Sequence, residues 1–192
     1  KITRGGSRQI VTTYYGIEFD GLRQSVNTTF LGPSVNGGVP EDRTYSWWMK
    51  SDETANNKGV FGYGGNSTEA FSINYSSGRP LLYNGSNWYR YWEDTPAQDD
   101  GNWHHLTWTH IGSNNQVKMY IDGVLDHTDA TIDSLGNEFY PAQAGMVNAI
   151  GRWVTFYFDG LIKDVRIYGS TLTQDEIVQI IGNDINVVMN PE

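Results

Sequence analysis

Trp88, Tyr89, Tyr91 and Trp92 crowd into five residues around Arg90. On an extended backbone, successive side chains leave on opposite faces. Trp88, Arg90 and Trp92 then share one face, and Tyr89 and Tyr91 the other. An indole or phenol ring has a flat apolar face with a polar edge, which suits the C–H face of a sugar ring. A guanidinium or amide beside it can hydrogen-bond hydroxyls. Trp88, Arg90 and Trp92 are therefore candidate ligand-binding residues, with Asn87 and Tyr63 as further contacts and Glu93 as a polar partner. Trp47 and Trp153 are expected to extend the platform. The competing use for such rings is to fill a wide sandwich interior.

Other reactive side chains form no convergent set. In a strand, His104 and His110 fall on the face of Leu106 and Trp108, whereas His105 falls with Thr107 and Thr109. That split, and the lack of any cysteine, argues against zinc. The imidazoles are expected to pack and hydrogen-bond locally. The carboxylates Glu41-Asp42, Asp52-Glu53, Glu93-Asp94, Asp99-Asp100 and Asp175-Glu176 are sequence neighbours whose side chains diverge. No Gly-x-Ser-x-Gly elbow and no phosphate-binding glycine loop occurs.

A chain of 192 residues suits one domain with one substantial core. Its 22 glycines and 14% aromatic content point to short strands joined by tight turns. The formal net charge of −9 opposes nucleic acid or anionic membrane as the main partner and leaves room for cations. Absence of cysteine removes disulfides and thiol chemistry and favours a microbial or viral source, or a core large enough to do without them. No apolar run reaches membrane-spanning length, and no signal peptide is visible. A start at Lys1 is expected of a processed chain or an excised domain.

The elements that must position the aromatic strand read as all-β. Tyr15, Ile17 and Phe19 alternate up to the turn Asp20-Gly21. Further runs span 44–50, 60–63, 70–75, 80–83 and 88–92. The clearest hairpin joins 103–111 to 116–122 through Ser113-Asn114-Asn115. Asp122-Gly123 is the preferred pair for a type I′ turn into 124–126. Residues 129–146 are expected to form a long surface loop, and strands resume at 149–151, 155–158 and 161–168. A helix is predicted over 174–181, opened by a Thr173/Glu176 capping box and stopped at Gly182. Residues 1–13 read as a linker or lead-in strand and 182–192 as a tail.

Six segments in order complete the sequence evidence. They are Gly16-Ile17-Glu18-Phe19-Asp20-Gly21, Thr44–Lys50, Gly101-Asn102-Trp103-His104-His105-Leu106-Thr107, Lys118–Gly123, Asp159–Tyr168 and Leu172–Ile177. Together they resemble the laminin-G-like domains of the concanavalin A-like lectin/glucanase superfamily, over about residues 14–181. The resemblance implies a two-sheet antiparallel jelly-roll sandwich with a short C-terminal helix. It also implies a structural calcium ion where the first Asp-Gly turn meets the last strand. The matching positions are Asp20, the carbonyl of Gly21 and Asp164, oxygen donors of the kind calcium requires. Calcium should then raise the melting temperature. Retaining glucanases of this fold carry Glu-x-Asp-x-Glu on one strand face, and this chain has no such motif. The function expected is a non-catalytic, lectin-like binding or adhesion module for a glycan or glycoconjugate, extracellular, at a cell surface or on a virion. The alternative is a structural or protein–protein module of a multidomain adhesin or of a virion, as a capsid decoration or tail appendage. A glycoside hydrolase comes third. Neither nucleic acid nor membrane insertion is expected.

Overall fold

The computed structural model describes residues 16–27, 35–36, 39–40, 42–53, 58–63, 71–76, 78–83, 88–89, 95–113, 116–129, 149–153 and 155–189. In chain order the strands begin with β1 (Ile17–Asp20), β2 (Val26–Asn27), β3 (Val35–Asn36), β4 (Val39–Pro40) and β5 (Arg43–Lys50). Next come β6 (Lys58–Tyr63), β7 (Phe71–Ser76), β8 (Arg79–Tyr83), β9 (Trp88–Tyr89), β10 (His104–Ile111), β11 (Gln116–Ile121) and β12 (Val124–Asp129). The last are β13 (Ala149–Ile150), β14 (Arg152–Trp153), β15 (Phe156–Tyr157) and β16 (Asp159–Tyr168), followed by the helix α1 (Gln174–Met189). One six-stranded sheet, here sheet A, runs β1-β16-β5-β10-β11-β12. The other, sheet B, runs β2-β13-β6-β7-β8-β9. This is the antiparallel sandwich the alternating segments imply.

Alternation explains the core. Tyr45, Trp47 and Met49 of β5 and Leu106 and Trp108 of β10 meet Val60 and Phe61 of β6, closed by Phe19, Val117, Met119, Phe158 and Ile162. Burying one such side chain contributes roughly 1.5–3 kcal/mol. Trp47 is 1% exposed, so it fills the interior and extends no surface platform. The intervening residues Thr44, Ser46, Trp48, His105, Thr107 and Thr109 are buried too, so β5 and β10 are covered on both faces.

Part of the outer cover comes from the chain after β16. The Thr44 hydroxyl donates to the Ser170 carbonyl at 2.8 Å and accepts the Leu172 N–H at 3.0 Å. Thr171 donates to the His110 carbonyl at 2.9 Å. These bonds lead into α1, where Ile177 is fully buried and the Gln174 amide donates to the Gly123 carbonyl at 2.9 Å. The capping box forms as expected. The Thr173 N–H donates to Glu176 Oε2 at 2.7 Å, and the Glu176 N–H donates back to the Thr173 hydroxyl at 3.3 Å. The Thr173 N–H also lowers the Glu176 pKa. The helix does not stop at Gly182. That residue lacks a positive φ and the helix runs on to Met189, because a helical glycine costs only about 1 kcal/mol relative to alanine.

β16 departs from strict alternation. Ile162 is in the core, and the next residues packed against it are Val165 and Ile167. Lys163 pairs with Trp48 but Arg166 pairs with Ser46, so one residue is extra. Asp164, at φ 51°, takes up the slack in a left-handed bulge, a conformation aspartate tolerates better than most residues.

Candidate functional site

β9 is the edge of sheet B. Its pairing continues across the sheet as two rows of alternate parity. One row is Tyr89, Leu82, Ile73, Phe61, Ile150 and Val26; the other is Trp88, Tyr83, Ser72, Gly62, Ala149 and Asn27. The first contains Phe61, 2% exposed, and is the core parity. Trp88 occupies the other. Tyr63 pairs with Phe71 and shares the parity of Phe61, so its register position is not in the row of Trp88. Asn87, Arg90 and Trp92 lie outside the described residues, as does Glu93.

The first turn is organised by Asp20. Its Oδ1 accepts the N–H groups of Leu22 at 3.0 Å and Arg23 at 3.3 Å, and the Leu22 bond leads in holding its pKa down. Gly21, at φ 70°, donates its N–H to the Phe158 carbonyl at 2.9 Å. Asp159 is the residue opposite Asp20, and a side chain on Gly21 would come within 2.6 Å of Asp159 Oδ2. Asp164 sits five positions further along β16, roughly 16 Å away at about 3.3 Å per residue. Its carboxylate has the Arg166 guanidinium at 4.0 Å. Asp20, Gly21 and Asp164 therefore do not fit a single ion, because the strand register brings Asp159 to the turn instead. Among the described residues, no three acidic or histidine side chains form a metal-binding group.

A polar cluster that sequence reasoning missed lies at the start of β10. His104 Nδ1 is 2.8 Å from Asp122 Oδ2, and Nε2 is 3.1 Å from Asp100 Oδ1. Asp122 Oδ1 also accepts the His105 N–H at 2.8 Å. Asp122 and Gly123 have φ of 51° and 80°, and Ile121 pairs with Val124, which is the expected type I′ turn. Asp100 belongs to the segment 95–102, which straps the two sheets together. On the sheet B side, Arg79 Nε donates to the Thr95 carbonyl at 2.7 Å and the Gln98 N–H donates to the Gly78 carbonyl at 2.6 Å. On the sheet A side, the Thr95 hydroxyl donates to Asp126 at 2.7 Å and the Gly101 N–H to the Ser51 carbonyl at 3.0 Å. The sequence signal was present: a hairpin turning at Asp122-Gly123 must return that aspartate to the start of β10. His105 lies 3.3 Å from the Thr107 hydroxyl and packs edge-on against Trp48, as expected of a locally bonded imidazole. Lys163 places its ammonium 5.3 Å from the Trp48 ring and 4.6 Å from that of Trp103, a cation–π sandwich on the outer face of sheet A.

Residues 25–178 match the model of a laminin G family described as "Concanavalin A-like lectin/glucanases superfamily". A search of curated proteins finds no match. The fold is similar to a heptameric SAP-like pentraxin from Limulus polyphemus, with TM-score 0.63 and 17% identity over 85% of this chain and 80% of that one. It is also similar to CBM40 of the Ruminococcus gnavus IT-sialidase, with TM-score 0.61 and 20% identity over 90% of this chain and 99% of that one. The same module has been solved bound to α2,3-sialyllactose. Domain 4 of AbnA, an extracellular arabinanase of Geobacillus stearothermophilus solved with arabinotriose, gives TM-score 0.51 and 24% identity over 88% of this chain and 90% of that one. Likeness at these identities speaks to fold.

Proposed function

The chain belongs to the concanavalin A-like lectin/glucanases superfamily, and from that premise we propose that it is a non-catalytic glycan-binding module acting outside the cell. The observation that carries the proposal is the end-to-end likeness to a carbohydrate-binding module, which spans 90% of this chain and 99% of CBM40. The aromatic run that begins at Trp88 and Tyr89, on the edge strand of sheet B, contains residue types whose rings suit sugar stacking. A net charge of −9 favours neutral over anionic glycans. Calcium plays no part in this proposal, since its expected ligands do not converge.

A glycan array, followed by calorimetry with Trp88→Ala and Trp92→Ala, tests the proposal. Specific binding that both variants weaken is the expected result. Binding to no glycan by a folded chain would overturn it. A second reading, as a protein-binding module, is favoured by Val124, Leu125 and Val178, which are 65%, 41% and 51% exposed. Val124 and Leu125 follow Gly123, whose Cα faces Val178. Sedimentation showing a stable oligomer alongside an empty glycan array would favour that reading. Release of reducing ends from mixed polysaccharides would instead identify a hydrolase.

A further inference from the structure

We infer that His104 is a protonation-dependent latch fastening the 95–102 strap to the turn between β11 and β12. The inference stands whether or not the ligand is a glycan. Both ring nitrogens face carboxylate oxygens, Nδ1 toward Asp122 at 2.8 Å and Nε2 toward Asp100 at 3.1 Å. A neutral imidazole has one N–H and one lone pair, so it can donate to only one of them. The imidazolium donates to both. Losing the proton turns one contact into a lone pair set against a carboxylate.

The two sides of the latch are not equally anchored. Asp122 is fixed independently of the ring, by the His105 N–H on its Oδ1 and by its own N–H donating to the His105 carbonyl at 2.8 Å. Asp100 is otherwise bonded within its own loop, accepting the Asn102 N–H at 2.8 Å and the Asn102 amide at 2.9 Å. The neutral ring therefore keeps its Nδ1–H on Asp122 and releases Asp100. Among the described residues, the charged groups that face the ring nitrogens are these two carboxylates. Asp100 faces it from the strap and Asp122 from the turn, while its register partner on β5 is the apolar Met49. Asp52 lies below Gly101, with its Cβ 3.8 Å from where a side chain there would begin. His105 is turned toward Trp48 and Thr107, and the Lys163 ammonium sits over the rings of Trp48 and Trp103.

The electrostatics agree in sign. Burial opposes a charge on the ring, but the hydrogen bonds and fields of Asp122 and Asp100 outweigh it, so His104 titrates above its ordinary 6.5. Asp100 is held down at about 2, by the Asn102 side chain first, then the Asn102 N–H and His104. The latch is closed below 6.5 and opens as pH rises through the raised histidine value. Opening removes one of the anchors of the strap on sheet A, leaving the Thr95–Asp126 and Gly101–Ser51 bonds there and Arg79 and Gly78 at its other end.

The test is an NMR titration of the full chain from about pH 5 to about pH 9, spanning the histidine range. The His104 ring should titrate above 6.5, with the Gly101 and Asn102 amide shifts moving at the same midpoint and those of Thr107 staying still. His104→Gln should abolish that midpoint in Gly101 and Asn102. Asp100→Asn, at an exposed position, should lower the midpoint of the ring and leave the fold intact, which keeps the test open if His104→Gln does not fold. A His104 midpoint at or below 6.5, or strap amides that stay still while the ring titrates, would overturn the latch.

Discussion

Sheets A and B differ in how firmly their strands are held, and on the proposed function they divide the molecule into a part that holds and a part that presents. Sheet A rests on long strands, eight residues in β5 and β10 and ten in β16, each paired on both sides. Sheet B is built of strands of two to six residues and ends at the two-residue edge β9. A long central strand buried on both faces cannot slip by one residue without reversing its whole inner face. A short edge strand has unpaired backbone and few such constraints, so it can carry large rings at little cost to register. Stability and recognition should therefore fail separately.

Trp47→Ala should act on sheet A most severely, destabilising the fold by about 3–5 kcal/mol through lost burial and a cavity. Denaturant unfolding would show it, and an unchanged midpoint would break the contrast between the sheets. Trp88→Ala is the converse. We expect a loss of about 2 kcal/mol in glycan affinity, roughly thirtyfold in Kd by calorimetry, with the melting temperature moved by less than about 2 °C. A large fall in melting temperature would instead place that ring in the core. Gly123→Ala probes the joint between sheet A and α1. It imposes a side chain at φ 80° and 3.0 Å from Val178, and should cost about 1–3 kcal/mol. Far-UV circular dichroism should then report helix loss before the sheets melt.

Smaller effects sharpen the picture. His104 is raised, so its contribution is complete below 6.5 and is lost as pH rises through the folded value. Asp100 is lowered from 3.8 to about 2, so its contribution is complete above 3.8 and is lost as pH falls toward 2. Melting temperature against pH should accordingly form a plateau between the two, and a monotonic profile would contradict the cluster at His104. The smallest expected effect is that of calcium. Since Asp164 does not reach Asp20, added calcium and a chelator should leave melting unchanged in calorimetry, and a rise with calcium would show a site built from other groups.

The outline of the fold was legible because its signals are local. Alternation through Tyr45, Trp47 and Met49, the Asp122-Gly123 pair and the Thr173/Glu176 box each act within a few residues. What stayed hidden depends on contacts distant in sequence. An indole reads alike at 47 and 88, and only pairing tells the core parity from the other. The bulge left a trace in the three-residue step from Ile162 to Val165, but a left-handed aspartate inside a strand is too uncommon to assume. Without it, Asp164 appeared available to the first turn. Gly182 misled because glycine ends helices often and not always. The His104 cluster joins side chains from three segments, which no single window of sequence contains.

The bulge at Asp164 has a consequence for anyone who edits this chain. Removing that one residue would restore an unbroken two-residue period to β16, as deleting an inserted base restores a reading frame. Ile162 would keep its place. Everything downstream would stay in phase, with Val165 and Ile167 still turned to the core and Arg166 still opposite Ser46, whereas removing Lys163 as well would reverse them.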